Sequence, residues 1–137
     1  MTPAARTEQI LLTLDTRFAD AVRQVLRAMR ETHQAPMCAY SGRRTAEEQF
    51  ALWQQGRGGR PGAIVTWADG YERVSEHQKG LAVDCAFVVP LTGGRWTLSW
   101  AEAFPWSAYG AEARAAGLVW GGDWPVKKRD RPHVQAA

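Results

Sequence analysis

The segment from Leu81 to Val89 constrains the fold more than any other, because it is apolar throughout except for one carboxylate, Asp84. Its β-branched and aromatic content and the Pro90 that closes it mark the best strand in the chain. Alternation along a strand puts Ala82, Asp84, Ala86 and Val88 on one face and Val83, Cys85, Phe87 and Val89 on the other. An unpaired carboxylate in such a strand costs several kcal/mol on burial. Asp84 therefore demands compensation: a salt bridge, backbone amides or a metal.

Around this strand the chain alternates between helical and extended patterns. Phe18, Val22, Val25, Leu26 and Met29 form one face of an amphipathic helix, with Asp15 or Thr16 as its N-cap. Ala35 to Tyr40 is expected to be a short buried strand, turning at Ser41-Gly42. Thr45-Ala46-Glu47-Glu48 has the capping-box pattern and opens a helix that Gly56 ends. Arg57 to Gly62 is a glycine-rich loop with no phosphate-binding motif, and Leu91 to Arg95 is a turn. Trp106 to Ala116 is expected to be a helix stopped by Gly117, Leu118-Val119-Trp120 a strand, and Val134-Gln135 a last short strand. Helices and strands in mixed order, with short turns late in the chain, point to an α+β protein. The 137 residues are expected to form a single domain, 1–137, with no linker and no separate second domain.

Composition narrows the function classes. Hydrophobic residues at 45% and charged residues at 23% describe a globular chain, and no apolar run is long enough to cross a bilayer. The net charge of +3 is mild, and the basic residues are too scattered for a nucleic-acid footprint. Thr7 to Leu12 is too short and too acidic for a signal-peptide core, so synthesis in the cytoplasm without a signal peptide is expected. Neither stable membrane association nor assembly beyond a monomer is expected. Cys38 and Cys85 lie in apolar stretches without Cys-x-x-Cys spacing and are expected to be small buried hydrophobes. His33 belongs to an exposed helix end, and Trp53 and Trp106 to the core.

Two compact segments carry the chemistry. His77 approaches the Asp84 strand, and Gly80 allows a tight bend between them. Alone, such a pair is most simply a hydrogen-bonded His and Asp. The second segment, Asp130-Arg131-Pro132-His133, is held extended by its proline. It can present Asp130 and His133 toward one cavity. Zinc accepts imidazole nitrogen and carboxylate oxygen, so His77, Asp84 and His133 make a chemically sensible site with one position open. Asp130 is better kept off the metal, as a proton carrier.

Ser75-x-His77-x-x-Gly80-x-Ala82-x-Asp84 followed by Asp130-x-Pro132-His133 resembles the M15 metallopeptidases, the D-alanyl-D-alanine carboxypeptidase and L-alanyl-D-glutamate endopeptidase family. Further matches are Ser41-Gly42-x-Arg44-Thr45 with Gln49, Gln55-Gly56-Arg57, Val65-Thr66 and Trp120-Gly121-Gly122-Asp123-Trp124. The likeness covers about residues 10 to 135 and is greatest to the single-domain endopeptidases that serve as phage endolysins. It implies a small central antiparallel sheet flanked by helices, a Hedgehog- and DD-peptidase-like arrangement. It also implies one Zn2+ per chain on His77, Asp84 and His133, Asp130 as general base, and Arg44 as a substrate and oxyanion contact. Ser75 and Gln49 would support the site. Trp120 and Trp124, beside Gly121-Gly122, either line the cleft or belong to the core. Arg43 stands where an aromatic is common, leaving open which of Arg43 and Arg44 faces the cleft; Lys79 departs similarly before Gly80.

The expected function is hydrolysis of bacterial peptidoglycan at the L-Ala–D-Glu bond by an endolysin released through a phage holin. A D,D-carboxypeptidase or dipeptidase of the same family is the enzymatic alternative. A non-catalytic wall-binding module with a structural metal is the other.

Overall fold

The computed structural model describes residues 1–137. Strand β2 (Ala82–Pro90) is its centre, with Ala82 to Phe87 buried on both faces. It pairs antiparallel with β1 (Met37–Ser41) on one edge and, end to end on the other, with β3 (Trp96–Ser99) and β5 (His133–Ala136). The short β4 (Leu118–Trp120) completes the sheet outside β5, in the order β1-β2-β5-β4. The register places Asp84 opposite His133 on β5 and opposite Ser41 on β1, where a bulge between Ala39 and Ser41 shifts the ladder. Three residues of the candidate site thus meet through strand pairing alone.

The helices cover the apolar side. Helix α2 (Thr16–Glu31) begins at Asp15, whose side chain accepts a hydrogen bond from the Phe18 amide. It buries Phe18, Val22, Val25, Leu26 and Met29 against Val83, Cys85 and Phe87. Helix α4 (Trp106–Ala115) adds Trp106, Tyr109 and Ala113 to the same core. Helix α3 (Ala46–Gln54) has the expected capping box between Thr45 and Glu48, but its single fully buried side chain is polar Gln49. From Gln55 to Ser75 the chain runs without helix or strand. Cys38 and Cys85 are free and buried, and burial pushes the Cys85 thiol up to about 12.

Two elements escape the sequence patterns. Helix α1 (Pro3–Leu11) is capped by Thr2 and started by Pro3, yet it buries only Thr7 and Leu11, too few for a readable apolar face. The Thr7 hydroxyl accepts the Ala39 amide, closing the outer edge of β1. Strand β3 is missed because its pattern is partly exposed and it follows a turn that passes for a simple connection. Trp53 is corrected: it lies half-buried on α3, stacked on Phe50 and covered by the Arg57 guanidinium, not in the core. His33 is exposed beyond the end of α2 as expected, paired with Glu112 of α4 at 2.9 Å.

Candidate metal centre

His77 is carried by a single helical turn, Glu76–Lys79. Ser75 caps that turn, its hydroxyl accepting the His77 amide, while the Gln78 side chain returns to the Ser75 amide. Gly80 closes it at φ 73°, in the left-handed region that favours glycine. The His77 ring is buried, and its Nδ1 donates to the Gly42 carbonyl at 2.8 Å. That bond leaves the Nε2 lone pair facing Asp84, 3.3 Å from Oδ2.

His133 is held in the mirror fashion. Its Nε2 lies 2.8 Å from Gln135 Oε1, to which it donates, and its Nδ1 faces Asp84 Oδ1 at 3.3 Å. Each imidazole is thus fixed by a bond from its outer nitrogen, the arrangement that orients metal-ligating histidines. One donor atom from each of His77, Asp84 and His133 lies within 4.8 Å of the others.

Asp84 Oδ1 is buried and has no hydrogen-bond partner. Such an orphaned carboxylate oxygen between two oriented imidazoles fits a divalent cation. Burial pushes the Asp84 carboxyl up, but the close approach of the His133 and His77 rings outweighs this and holds it well below the usual range. Burial lowers His133, and the neighbouring Asp84 carboxylate more than reverses that, raising the imidazole above its ordinary value. The field that draws a proton to His133 equally favours a metal ion.

Arg44 reaches this cluster and Arg43 does not. The Arg44 guanidinium donates to Asp84 Oδ2 and Ser41 Oγ, both at 3.0 Å, and to Gln49 Oε1 at 3.1 Å. Gln49 in turn donates to the Thr66 hydroxyl and the Ala68 carbonyl, tying the long loop to the site. Arg43 turns outward to the Thr13 carbonyl. Asp130 is half-exposed, with Oδ2 4.0 Å from His133 Nδ1. Burial raises its carboxyl above the ordinary value, Asp84's charge adds to this, and His133, His77 and Arg44 oppose it.

The two tryptophans divide. Trp124 leans its ring on His133, centroids 4.9 Å apart. Trp120 is buried beneath Gly110 and Gly122, and its indole Nε1 donates to the Arg131 carbonyl at 2.7 Å. It belongs to the core and does not line the cleft. Sequence reasoning missed its companion Tyr109, whose buried hydroxyl donates to the next carbonyl, Pro132, at 3.0 Å. The Cys85 amide donates to that same carbonyl. Together these donors clamp the segment that carries Asp130 and His133. Nothing in the spacing of Tyr109 marks it, because it looks like any core aromatic of an amphipathic helix.

Comparison with known proteins agrees with this geometry. Residues 69–136, about half of the chain and all of the candidate metal ligands, match a family of M15 peptidases described as D-alanyl-D-alanine carboxypeptidase. The fold is similar to the crystal structure of Serratia marcescens L-Ala D-Glu endopeptidase ChiX, with 24% identity and a TM-score of 0.63 over 97% of this chain and 87% of that one. It is also similar to the LdcB LD-carboxypeptidase, with 20% identity and a TM-score of 0.54 over 90% of this chain and 58% of that one. With the motif segments, the sheet register and the His-Asp-His cluster in agreement, the chain belongs to the M15 peptidases, metal-dependent enzymes that act on peptidoglycan.

Proposed function

We propose that this chain is a zinc-dependent endopeptidase that hydrolyses the L-Ala–D-Glu bond of the peptidoglycan stem peptide. The observation that carries the reading is the pair of imidazoles, each fixed through its outer nitrogen and facing the Asp84 carboxylate, His77 toward Oδ2 and His133 toward the unpartnered Oδ1. His77, Asp84 and His133 would hold the ion, leaving one position open. Zinc bound there supplies Lewis-acid polarisation of a carbonyl and a water of lowered pKa.

The chain's own groups do the rest. Asp130, beside His133 but outside the His-Asp-His cluster, takes a proton from the attacking water and delivers it to the departing amine. Arg44, fixed by Gln49 and Ser41, balances the charge of Asp84 and offsets negative charge developing on the carbonyl oxygen. Ser75 holds the turn that presents His77, and Trp124 supports the ring of His133.

The choice of bond is supported by the likeness to ChiX along nearly the whole chain. An endopeptidase must accept peptide on both sides of the scissile bond, which suits the glycine-rich Arg57 to Gly62 loop and the Gly121-Gly122 pair. An endolysin made in the cytoplasm and released through a holin is the biological role we assign. The family description favours a second reading, a carboxypeptidase trimming the stem from its free end. Mass analysis of fragments from purified peptidoglycan separates the two. New amino groups on D-Glu and new carboxyls on L-Ala support the endopeptidase; free D-Ala with an intact L-Ala–D-Glu link overturns it.

A further inference from the structure

Beside the metal centre the sheet carries an aromatic shelf that the peptide chemistry does not use. Tyr40 lies next to Ser41, the residue opposite Asp84, and its ring meets Trp100 edge-on with centroids 5.3 Å apart. The Trp100 indole donates to the Tyr40 hydroxyl at 3.2 Å, which fixes the two rings together. Trp96 and Leu98 continue the surface along β3, and Leu98 stands opposite Val88, on the face of β2 that bears Asp84. Arg6 closes the far side over the Trp96 ring. These side chains enclose a shallow cavity of about 330 Å³. Trp100 is 50% exposed although it follows a strand with apolar partners. The shelf borders the site along β1, where Tyr40 directly precedes Ser41, which pairs with Asp84 and accepts a hydrogen bond from Arg44, the partner of Asp84.

We infer that this shelf binds the amino sugar to which the stem peptide is attached. The inference rests on the L-Ala–D-Glu reading. In peptidoglycan L-Ala is the first stem residue, joined directly to the lactyl group of N-acetylmuramic acid. A peptidase cutting after L-Ala must therefore hold that sugar one residue from its metal. One that removes terminal D-Ala works at the far end of the stem. An exposed indole offers a flat apolar face to the C–H face of a pyranose, and the Tyr40 hydroxyl and Arg6 guanidinium offer polar contacts to its N-acetyl group.

Two measurements on the full chain test this. In the first, N-acetylglucosaminyl-N-acetylmuramic acid without peptide is titrated at millimolar concentration while the indole N–H resonances are followed. The Trp100 signal, assigned by its loss in Trp100→Ala, should shift saturably; an unmoved signal overturns the subsite whatever bond the enzyme cuts. In the second, kcat/KM is compared for a disaccharide-bearing stem peptide and the same peptide without sugar. The wild type should prefer the sugar-bearing substrate about tenfold or more, and Trp100→Ala should collapse the preference toward unity, mainly through KM. Equal use of both substrates by the wild type, with cleavage at L-Ala–D-Glu, overturns the subsite and leaves the bond assignment standing. Cleavage of both only at D-Ala overturns the bond assignment, and the titration alone then decides the shelf.

Discussion

At the scale of single residues, the site separates a buried, paired carboxylate from a half-exposed one. Asp84 is buried between two imidazoles and an arginine, whereas Asp130 is half-exposed and makes only a 4.0 Å approach to His133. Asp130→Asn should therefore keep the fold and the zinc while turnover falls by roughly 100-fold or more, the scale of a lost general base. Metal analysis beside the rate checks this; loss of zinc with a normal rate after metal is restored would make Asp130 a ligand. Asp84 itself was legible as a carboxylate in an apolar strand. That Arg44 and not Arg43 meets it came from the family resemblance and not from residue type or spacing, because the two are adjacent and differ only in which way the chain turns after β1.

Among the elements, the segment from Asp130 to His133 depends on others for its position. Tyr109 from α4 and Trp120 from β4 pin two successive carbonyls from beneath, and the Asp130 amide donates to the Gly121 carbonyl. Trp120→Phe keeps most of the packing and leaves the Arg131 carbonyl without its donor, a loss of about 1–3 kcal/mol. We expect a lower melting temperature, weaker zinc retention and a fall in kcat larger than any change in KM, read by thermal denaturation, dialysis against a chelator and steady-state kinetics. Gly121→Ala should act on the same segment more severely, since its Cβ would collide with the Asp130 carbonyl and crowd the His133 side chain. Unchanged metal affinity in that variant would show that the segment is not held from this side. The strong elements were readable because each carries an independent signal: the heptad-like face of α2, the capping box of α3, the continuous apolar run of β2. Helix α1 and strand β3 were not, because α1 buries two side chains and β3 is half-exposed, so neither has a clean period.

On the scale of the whole molecule, a strand buried on both faces carries a carboxylate near its N-terminal end, and the fold is arranged around what satisfies it. Helices α2 and α4 cover one face; the turn bearing His77, the start of β5 and, through Gln49, the first turns of α3 converge on the other. The motif segments were therefore a better guide to the site than to its surroundings: residue type and the family resemblance together pointed to the His77, Asp84 and His133 cluster, while the clamp and the aromatic shelf exist only once distant elements pack. A metal that binds only the folded chain must also stabilise it. Removing zinc should lower the melting temperature by roughly 5–10 °C, as expected for a ligand present at about a hundredfold above its Kd. Restored zinc should return it. The most direct test of the central claim is the hydrolysis rate of purified peptidoglycan measured against zinc occupancy. The rate should be negligible in metal-free protein, rise in proportion to bound zinc and reach its plateau at one ion per chain, and His77→Ala should show neither binding nor rise. Full activity in protein shown to be free of metal would contradict the account.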